Sequence, residues 1–302
     1  MSTLTPDPAP QTGARSLAGR TVLLSGGTRG IGLAIAVRAA ADGANVVLLG
    51  KTDQPHPKLP GTLHTAAAQV EAAGGLALPV VCDIRFDDQV LAAVEQAVAA
   101  FGGIDVLVNN ASAISPTPTL DTEMKRFDLM HQVNVRGTFM VTKAALPHLL
   151  QAPNPHVLTL SPPLDLDPKW YAPHLAYTMS KMAMSMVTLG LAAEFASQGI
   201  AVNSLWPLTS VDTAAVRNVL GGDGMAATSR TTDIVADAAH AILTRPAGEA
   251  TGNFYIDEEV LREEGTTDFT RYAPHASGPL TLDFFVPDAT AARSRTPVTS
   301  WY

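Results

Sequence analysis

Tyr177 and Lys181, in the stretch AYTMSKMAMSM, stand four positions apart in an alanine- and methionine-rich helical pattern. At 3.6 residues per turn such positions share one helix face, so phenol and ammonium are neighbours. A free phenol has a pKa of about 10 and exchanges protons poorly at neutral pH. A nearby cation favours the phenolate and lowers that value. A tyrosine tuned in this way can give a proton to a carbonyl oxygen as hydride reaches carbon, or take one back from an alcohol. Such pairs also occur in ordinary helices, so the pair alone decides nothing.

Ser161 closes the apolar run HVLTLS and is followed by two prolines. A serine beside Tyr177 and Lys181 would complete a carbonyl/alcohol oxidoreductase site, whereas proline offers neither a hydroxyl nor an N–H. Either Ser161 contributes, with the loop PPLDLDPKWYAP absorbing the displacement, or it bonds the local backbone at a strand end. Asn134 falls inside a helical pattern, where asparagine is a poor former, and a water or proton-relay contact supplies a reason for it. Met179, Met182, Met184 and Met186 read as core or subunit-interface filler.

Upstream, LLSGGTRGIGLAIA joins an apolar strand to an alanine-rich helix. Gly26 and Gly30 allow a tight turn, Gly32 allows close packing, and Thr28, Arg29 and Ile31 complete the loop. The helix start that follows offers free N–H groups to a pyrophosphate. The second strand ends at Gly50-Lys51 with no carboxylate to hold a ribose hydroxyl. Arg29 and Lys51 are instead two cations for a 2′-phosphate, each worth about 4 kcal/mol of Coulomb energy at about 4 Å near a protein surface. The expectation is NADP(H) in preference to NAD(H), against a Lys51 that only points into water. Asp83 ends the third strand, where it could hold an adenine amino group or cap a helix. Asn109 and Asn110 end the fourth and could bridge strands, bond the ribose, or do both.

The elements that must position these residues alternate along the chain. Strands are predicted at 20–25, 45–50, 76–84, 104–110, 156–161, 200–206 and 253–257, and helices near 31–42, 62–73, 86–101, 122–150, 174–198 and 231–244. Strands apolar throughout, separated by helices, indicate a parallel sheet covered on both faces. The expected fold is α/β, doubly wound, with ligand at the carboxyl ends of the strands. Residues 1–16 read as a flexible tail, 17–257 as one Rossmann-type domain, and 258–302 as an extension packing on the domain or on a neighbouring subunit. The Pro-rich segment 51–62 reads as an irregular loop and 208–230 as a lid.

The 302 residues are 46% hydrophobic and 16% charged, which fits a buried core rather than a disordered chain. A net charge of −8 without a basic stripe argues against nucleic acid as a partner. One cysteine, Cys82, excludes a disulfide framework within the chain. No apolar run approaches membrane-spanning length, and the start has no secretory apolar core, so a cytoplasmic protein is expected.

Taken together, SGGTRGIG, NNAS, Asn134 in QVNVRG and YTMSK resemble the motifs of the short-chain dehydrogenase/reductase family, over about residues 17 to 257. The segments KTDQPHPKLPGT, SPPLDLDP and TGNFYIDEEVLREEG resemble a lipid-linked branch in which a sterol-carrier domain follows the reductase domain; none is expected within these residues. The resemblance implies a seven-stranded Rossmann fold, a nicotinamide dinucleotide and homo-oligomers paired through two long helices. By position it implies that Gly26 to Gly32, Lys51, Asp83 and Asn110 hold the cofactor. It gives Tyr177 as acid/base, Lys181 as its partner and ribose ligand, and Asn134 as a relay residue. It also implies a serine where Pro162 stands, leaving Ser161 as the nearest substitute. The expected activity is NADP(H)-dependent hydride transfer at a carbonyl or alcohol carbon of an apolar substrate of fatty-acyl, terpenoid or steroid-like type. The alternatives are a 3-oxoacyl-thioester reductase and a dinucleotide-binding sensor or scaffold with impaired catalysis.

Overall fold

The computed structural model describes residues 15–55 and 60–300. The tail predicted for 1–16 therefore lies outside the described residues except for its last two positions, as does part of the 51–62 loop. Seven strands form one parallel sheet: β1 (Thr21–Ser25), β2 (Asn45–Gly50), β3 (Leu76–Val81), β4 (Val106–Asn109), β5 (His156–Thr159), β6 (Ala201–Trp206) and β7 (Phe254–Ile256). Their order is β3-β2-β1-β4-β5-β6-β7, with Val22 of β1 opposite Val46 on one side and Val106 on the other. The order reverses between β1 and β4, which opens a crevice at the carboxyl ends of the strands. These are the seven predicted strands, most of them trimmed at their ends.

Successive side chains of a strand point to opposite faces, and β1 shows how this builds two cores. Val22 and Leu24 join Ile35 and Ala39 of α1 (Gly30–Ala40) and Val70 of α2 (Leu63–Ala72). Leu23 points the other way, to Val90 and Val94 of α3 (Asp87–Phe101). The single helix predicted over 122–150 is three pieces: α4 (Met124–Met130), a π-helical turn His131–Gly137, and α5 (Thr138–Leu149). Such turns widen a helix locally and recur at functional sites; Asn134 lies in this one.

The short helix α6 (Pro168–Tyr171) precedes α7 (Leu175–Glu194), which carries Tyr177 and Lys181 on its first turns. The predicted lid contains α8 (Gly222–Ala226), and α9 (Asp233–Leu243) and α10 (Asp257–Glu263) complete the face of α1. Beyond α10 the chain crosses the carboxyl end of the sheet. Its strand β8 (Leu280–Thr281) pairs with β9 (Val298–Thr299), with α11 (Asp288–Arg293) between them. Ser210 N donates to the Thr281 carbonyl at 2.8 Å, Asp283 N to Leu208 at 3.0 Å, and Trp206 Nε1 to Phe284 at 2.7 Å. Phe284, Phe285 and Val286 then fill a third apolar cluster with Met130, Trp170, Tyr177 and Trp206. Among the described residues no helix is long and apolar enough to cross a membrane.

Candidate active site

A cleft of about 600 Å3 lies at the carboxyl ends of the strands. Gly26, Thr28, Arg29, Gly30 and Ile31 line one end of it, Tyr177, Lys181 and Trp206 the other, and lid residues Val216, Asn218, Val219 and Leu220 contribute to its wall. The glycine loop is held open from behind. Asn110 Nδ2 donates to the Gly26 carbonyl at 2.9 Å and the Ser25 carbonyl at 3.2 Å. A Cβ on Gly32 would lie 2.4 Å from both Asn110 Nδ2 and Gly26 O, so nothing larger fits there. Gly26 and Gly30 adopt φ of 75° and 57°, which L side chains rarely take. No side chain caps the start of α1, so its N–H groups stay available to a ligand. The Asn110 amide thus braces the loop, while Asn109 Nδ2 bridges to Thr142 Oγ1 of α5 at 2.8 Å.

Arg29, Lys51 and Asp83 meet where β2 and β3 end. Arg29 Nη2 donates to Thr52 Oγ1 at 3.0 Å, and its buried Nε has no partner. Burial lowers the Arg29 pKa. Lys51 is more than half exposed and sits 3.7 Å from the Asp83 carboxylate. Asp83 is gripped by Arg85, whose Nη2 donates at 2.6 Å and whose backbone N–H donates at 3.1 Å. Burial works against this carboxylate, yet the Arg85 hydrogen bonds and the Lys51 charge hold its pKa below the usual range. Both Asp83 oxygens bond Arg85, and the carboxylate lines the cleft. These residues and the glycine cradle fit a dinucleotide, with Arg29 Nε as an unspent donor.

Tyr177 and Lys181 come together in the cleft, buried at 5% and 2% exposure. Lys181 Nζ donates to the Leu160 carbonyl at 2.6 Å and contacts Met184 Sδ at 3.3 Å and the Trp206 ring at 4.8 Å. Burial pulls its pKa down to about 7, with the Asp283 charge opposing. Lys181 alone does not bring the Tyr177 pKa down. Burial first, then the Asp283 charge, pushes it up, and the neighbouring ammonium does not offset this. Generating a phenolate here calls for a further positive charge in the cleft.

Ser161 and Asn134 do not line the cleft. Ser161 is fully buried and its Oγ lies 2.8 Å from Ser204 Oγ, which donates to Thr188 Oγ1 at 2.8 Å. The hydroxyl points into this string between β5, β6 and α7, so the structure does not bring it to Tyr177. Asn134 Nδ2 donates to Ala113 O and to Ser180 Oγ, each at 2.9 Å, while Oδ1 accepts from Ala113 N at 2.7 Å. Both amide hydrogens and the amide oxygen are thus engaged within the protein. Sequence reasoning missed Asp283 and Phe284, which the extension inserts into the cleft wall. The signal was LDFFVPD: paired aromatics in a polar tail need somewhere to be buried.

The model of the short chain dehydrogenase family matches residues 20–221. The chain belongs to this family. It is 55% identical to hydroxysteroid dehydrogenase-like protein 2 of Danio rerio over 89% of its length, and 53% identical to the Homo sapiens protein of that name over 95%. The chain spans 64% of the length of the first and 67% of the second. A short chain dehydrogenase structure from Mycobacterium thermoresistibile is 52% identical, with a TM-score of 0.85 over 90% of this chain and 96% of that one. At 25% identity, a dehydrogenase from Mycobacterium paratuberculosis is bound to NAD (TM-score 0.68, 82% of this chain, 99% of that one). A metagenomic short-chain oxidoreductase, also 25% identical, is in complex with NADP (TM-score 0.65, 80% and 97%). Membership in this dehydrogenase family makes the chain an oxidoreductase, and the fold implies a nicotinamide dinucleotide cofactor.

Proposed function

We propose that this short-chain dehydrogenase is an NADP(H)-dependent oxidoreductase of apolar carbonyl or alcohol substrates, working in the cytoplasm as a homo-oligomer. The observation that carries the reading is one continuous cleft with a glycine cradle at one end and Tyr177 with Lys181 at the other. A bound nicotinamide dinucleotide supplies or accepts the hydride. Gly26 to Ile31 and the open start of α1 take the pyrophosphate, and Arg29 with Lys51 takes the 2′-phosphate, since Gly50-Lys51 offers no carboxylate to a free ribose hydroxyl. Lys181 grips the ribose and keeps a positive charge beside Tyr177, whose O–H gives its proton to the substrate oxygen. Ile114, Leu129, Val133, Leu220, Trp206 and Phe284 exclude water and favour an apolar substrate. The exposed Met179, Met186 and Leu189 on α7 support pairing with a second copy.

Fluorescence titration with NADPH and with NADH tests the cofactor choice. The expected result is tighter binding of NADPH, weakened in R29A and K51A with little change for NADH. A preference for NADH overturns the cofactor assignment, and binding of neither overturns the oxidoreductase reading. A second reading, a dinucleotide-binding sensor, is favoured by the Ser161 hydroxyl pointing into the Ser204 string and by Pro162 after it. Substitution Tyr177→Phe separates the two: turnover of apolar ketones collapses with cofactor affinity intact if Tyr177 reacts.

A further inference from the structure

The Lys181 ammonium is buried among the Leu160 carbonyl, the Met184 sulfur and the Trp206 ring, none of which carries a charge. A buried ammonium held by neutral groups alone is costly and tends to lose its proton. A carboxylate that lines the same cleft is Asp283, and it arrives from far along the chain on the C-terminal segment. That segment is fixed tightly at this point. Asp283 N donates to Leu208 O at 3.0 Å, Phe284 N donates back to Asp283 Oδ1 at 2.7 Å, and Trp206 Nε1 donates to Phe284 O at 2.7 Å. Phe285, two residues on, takes φ of 66°, a left-handed conformation that strains an L side chain. Complete burial of its ring offsets this strain. The chain thus accepts a strained turn while setting Asp283 into the wall.

We propose that Asp283 is a positioning residue of the reacting centre, the counter-charge that keeps Lys181 an ammonium, so that the C-terminal segment is a working part of the site. This rests on the reading of Tyr177 and Lys181 as the reacting pair. Trp206 joins the two sides, its Nε1 donating to Phe284 O and its ring lying 4.8 Å from Lys181 Nζ. The charges that act on Asp283 are Lys181 from α7 and Asp257 from α10; Asp283 in turn acts on Tyr177, while Arg230 and Glu258 act on Asp257. The His174 ring stacks edge-on against neighbouring Phe284 at 4.9 Å. Burial raises the Asp283 pKa to about 7, helped by Asp257 and opposed by the Phe284 N–H and by Lys181. Each of the two charges opposes the burial that shifts the other, so losing one moves the titration of its partner. Removing the Asp283 charge takes away what raises the Lys181 pKa, and the ammonium is lost at lower pH.

The first test needs neither substrate nor cofactor. Lysine side-chain 15N NMR follows the Lys181 ammonium through pH, its signal assigned by its loss in K181M. In D283N, which keeps an acceptor for the Phe284 N–H, the midpoint is expected at least one unit lower than in the wild type. An unchanged midpoint overturns the proposal. Should D283N fail to fold, the reciprocal experiment decides: the Asp283 carboxyl, followed by 13C NMR, must titrate higher in K181M than in the wild type, and an unmoved midpoint refutes the pairing. The second test is the pH profile of kcat/KM for carbonyl reduction. D283N is expected to lose activity at lower pH, about fivefold down at pH 7 for a one-unit shift from a midpoint near 7. A shifted Lys181 midpoint in a protein that reduces no carbonyl sinks the oxidoreductase reading and leaves the pairing standing. Normal turnover with an unmoved midpoint does the reverse.

Discussion

Asn134 Nδ2 lies 2.9 Å from Ser180 Oγ, and Ser180 in turn donates to the Tyr177 carbonyl at 2.8 Å. The π-helical turn before α5 is thereby tied to the first turn of the helix that carries the reacting pair. The same amide closes on both backbone groups of Ala113 in the cleft wall. Asn134→Ala leaves these buried groups without a partner, at about 1–3 kcal/mol for an unsatisfied group. We expect a loss of about 2–3 kcal/mol in urea denaturation, with a fall in kcat larger than any change in cofactor affinity. A variant as stable as the wild type would contradict this bracing role.

Ser161 makes the opposite prediction. Its hydroxyl serves the Ser204–Thr188 string and faces away from the cleft. Ser161→Ala should cost about 1 kcal/mol of stability and leave kcat/KM within about twofold. Steady-state kinetics on any accepted ketone checks this. A loss of a hundredfold would mean that the hydroxyl turns into the cleft during reaction.

The fold was legible because both of its signals are local. Runs such as NVVLLG are apolar on both faces, as the strands of a covered sheet are, and the helical patterns between them make that sheet parallel. The glycine loop was legible for a similar reason: Gly26 and Gly30 are where the backbone must take positive φ. Side-chain direction was not legible. Whether Ser161 faces Tyr177 or Ser204 depends on a rotation at one strand end, and no pattern in HVLTLSPP records it. Asp283 was hidden more deeply, because its place beside Lys181 depends on a segment about a hundred residues further along. The upward push on the Tyr177 pKa from the protein alone was not legible either: spacing reports the neighbour at i+4, whereas burial, which dominates the shift, is a property of the assembled cleft.

Gly32 offers a sharper test of the cradle than the glycines with positive φ. A methyl group there meets Asn110 Nδ2 and Gly26 O at 2.4 Å, and neither can withdraw without opening the loop. Overpacking of this kind costs about 1–3 kcal/mol. Gly32→Ala should therefore lose stability by that amount in chemical denaturation and weaken NADPH and NADH alike, by at least tenfold. Selective loss of one cofactor would place the damage at the ribose rather than at the pyrophosphate.

Asp257 carries a pH dependence whose sign is fixed by its surroundings. Its Oδ1 accepts the N–H groups of Leu208 at 2.9 Å and Glu258 at 2.7 Å, while Oδ2 is buried with no partner. Burial raises its pKa to about 6, and the Arg230 charge and the two N–H groups only partly oppose this. A carboxyl whose folded pKa exceeds its unfolded value binds more protons in the folded state. Its contribution to stability is complete below the unfolded value of about 4 and is lost as pH rises through 6. Asp257→Asn keeps the Oδ1 acceptor and removes the ionisation. Relative to the wild type, the variant should gain stability between pH 4 and pH 7, by up to about 3 kcal/mol for a two-unit shift. Guanidinium denaturation of both proteins at the two pH values measures the difference directly. Parallel pH dependences would show that Asp257 ionises in the fold as easily as in the unfolded chain, and that the buried Arg230–Glu258 pair beside it, 2.5 Å apart, compensates its burial in full.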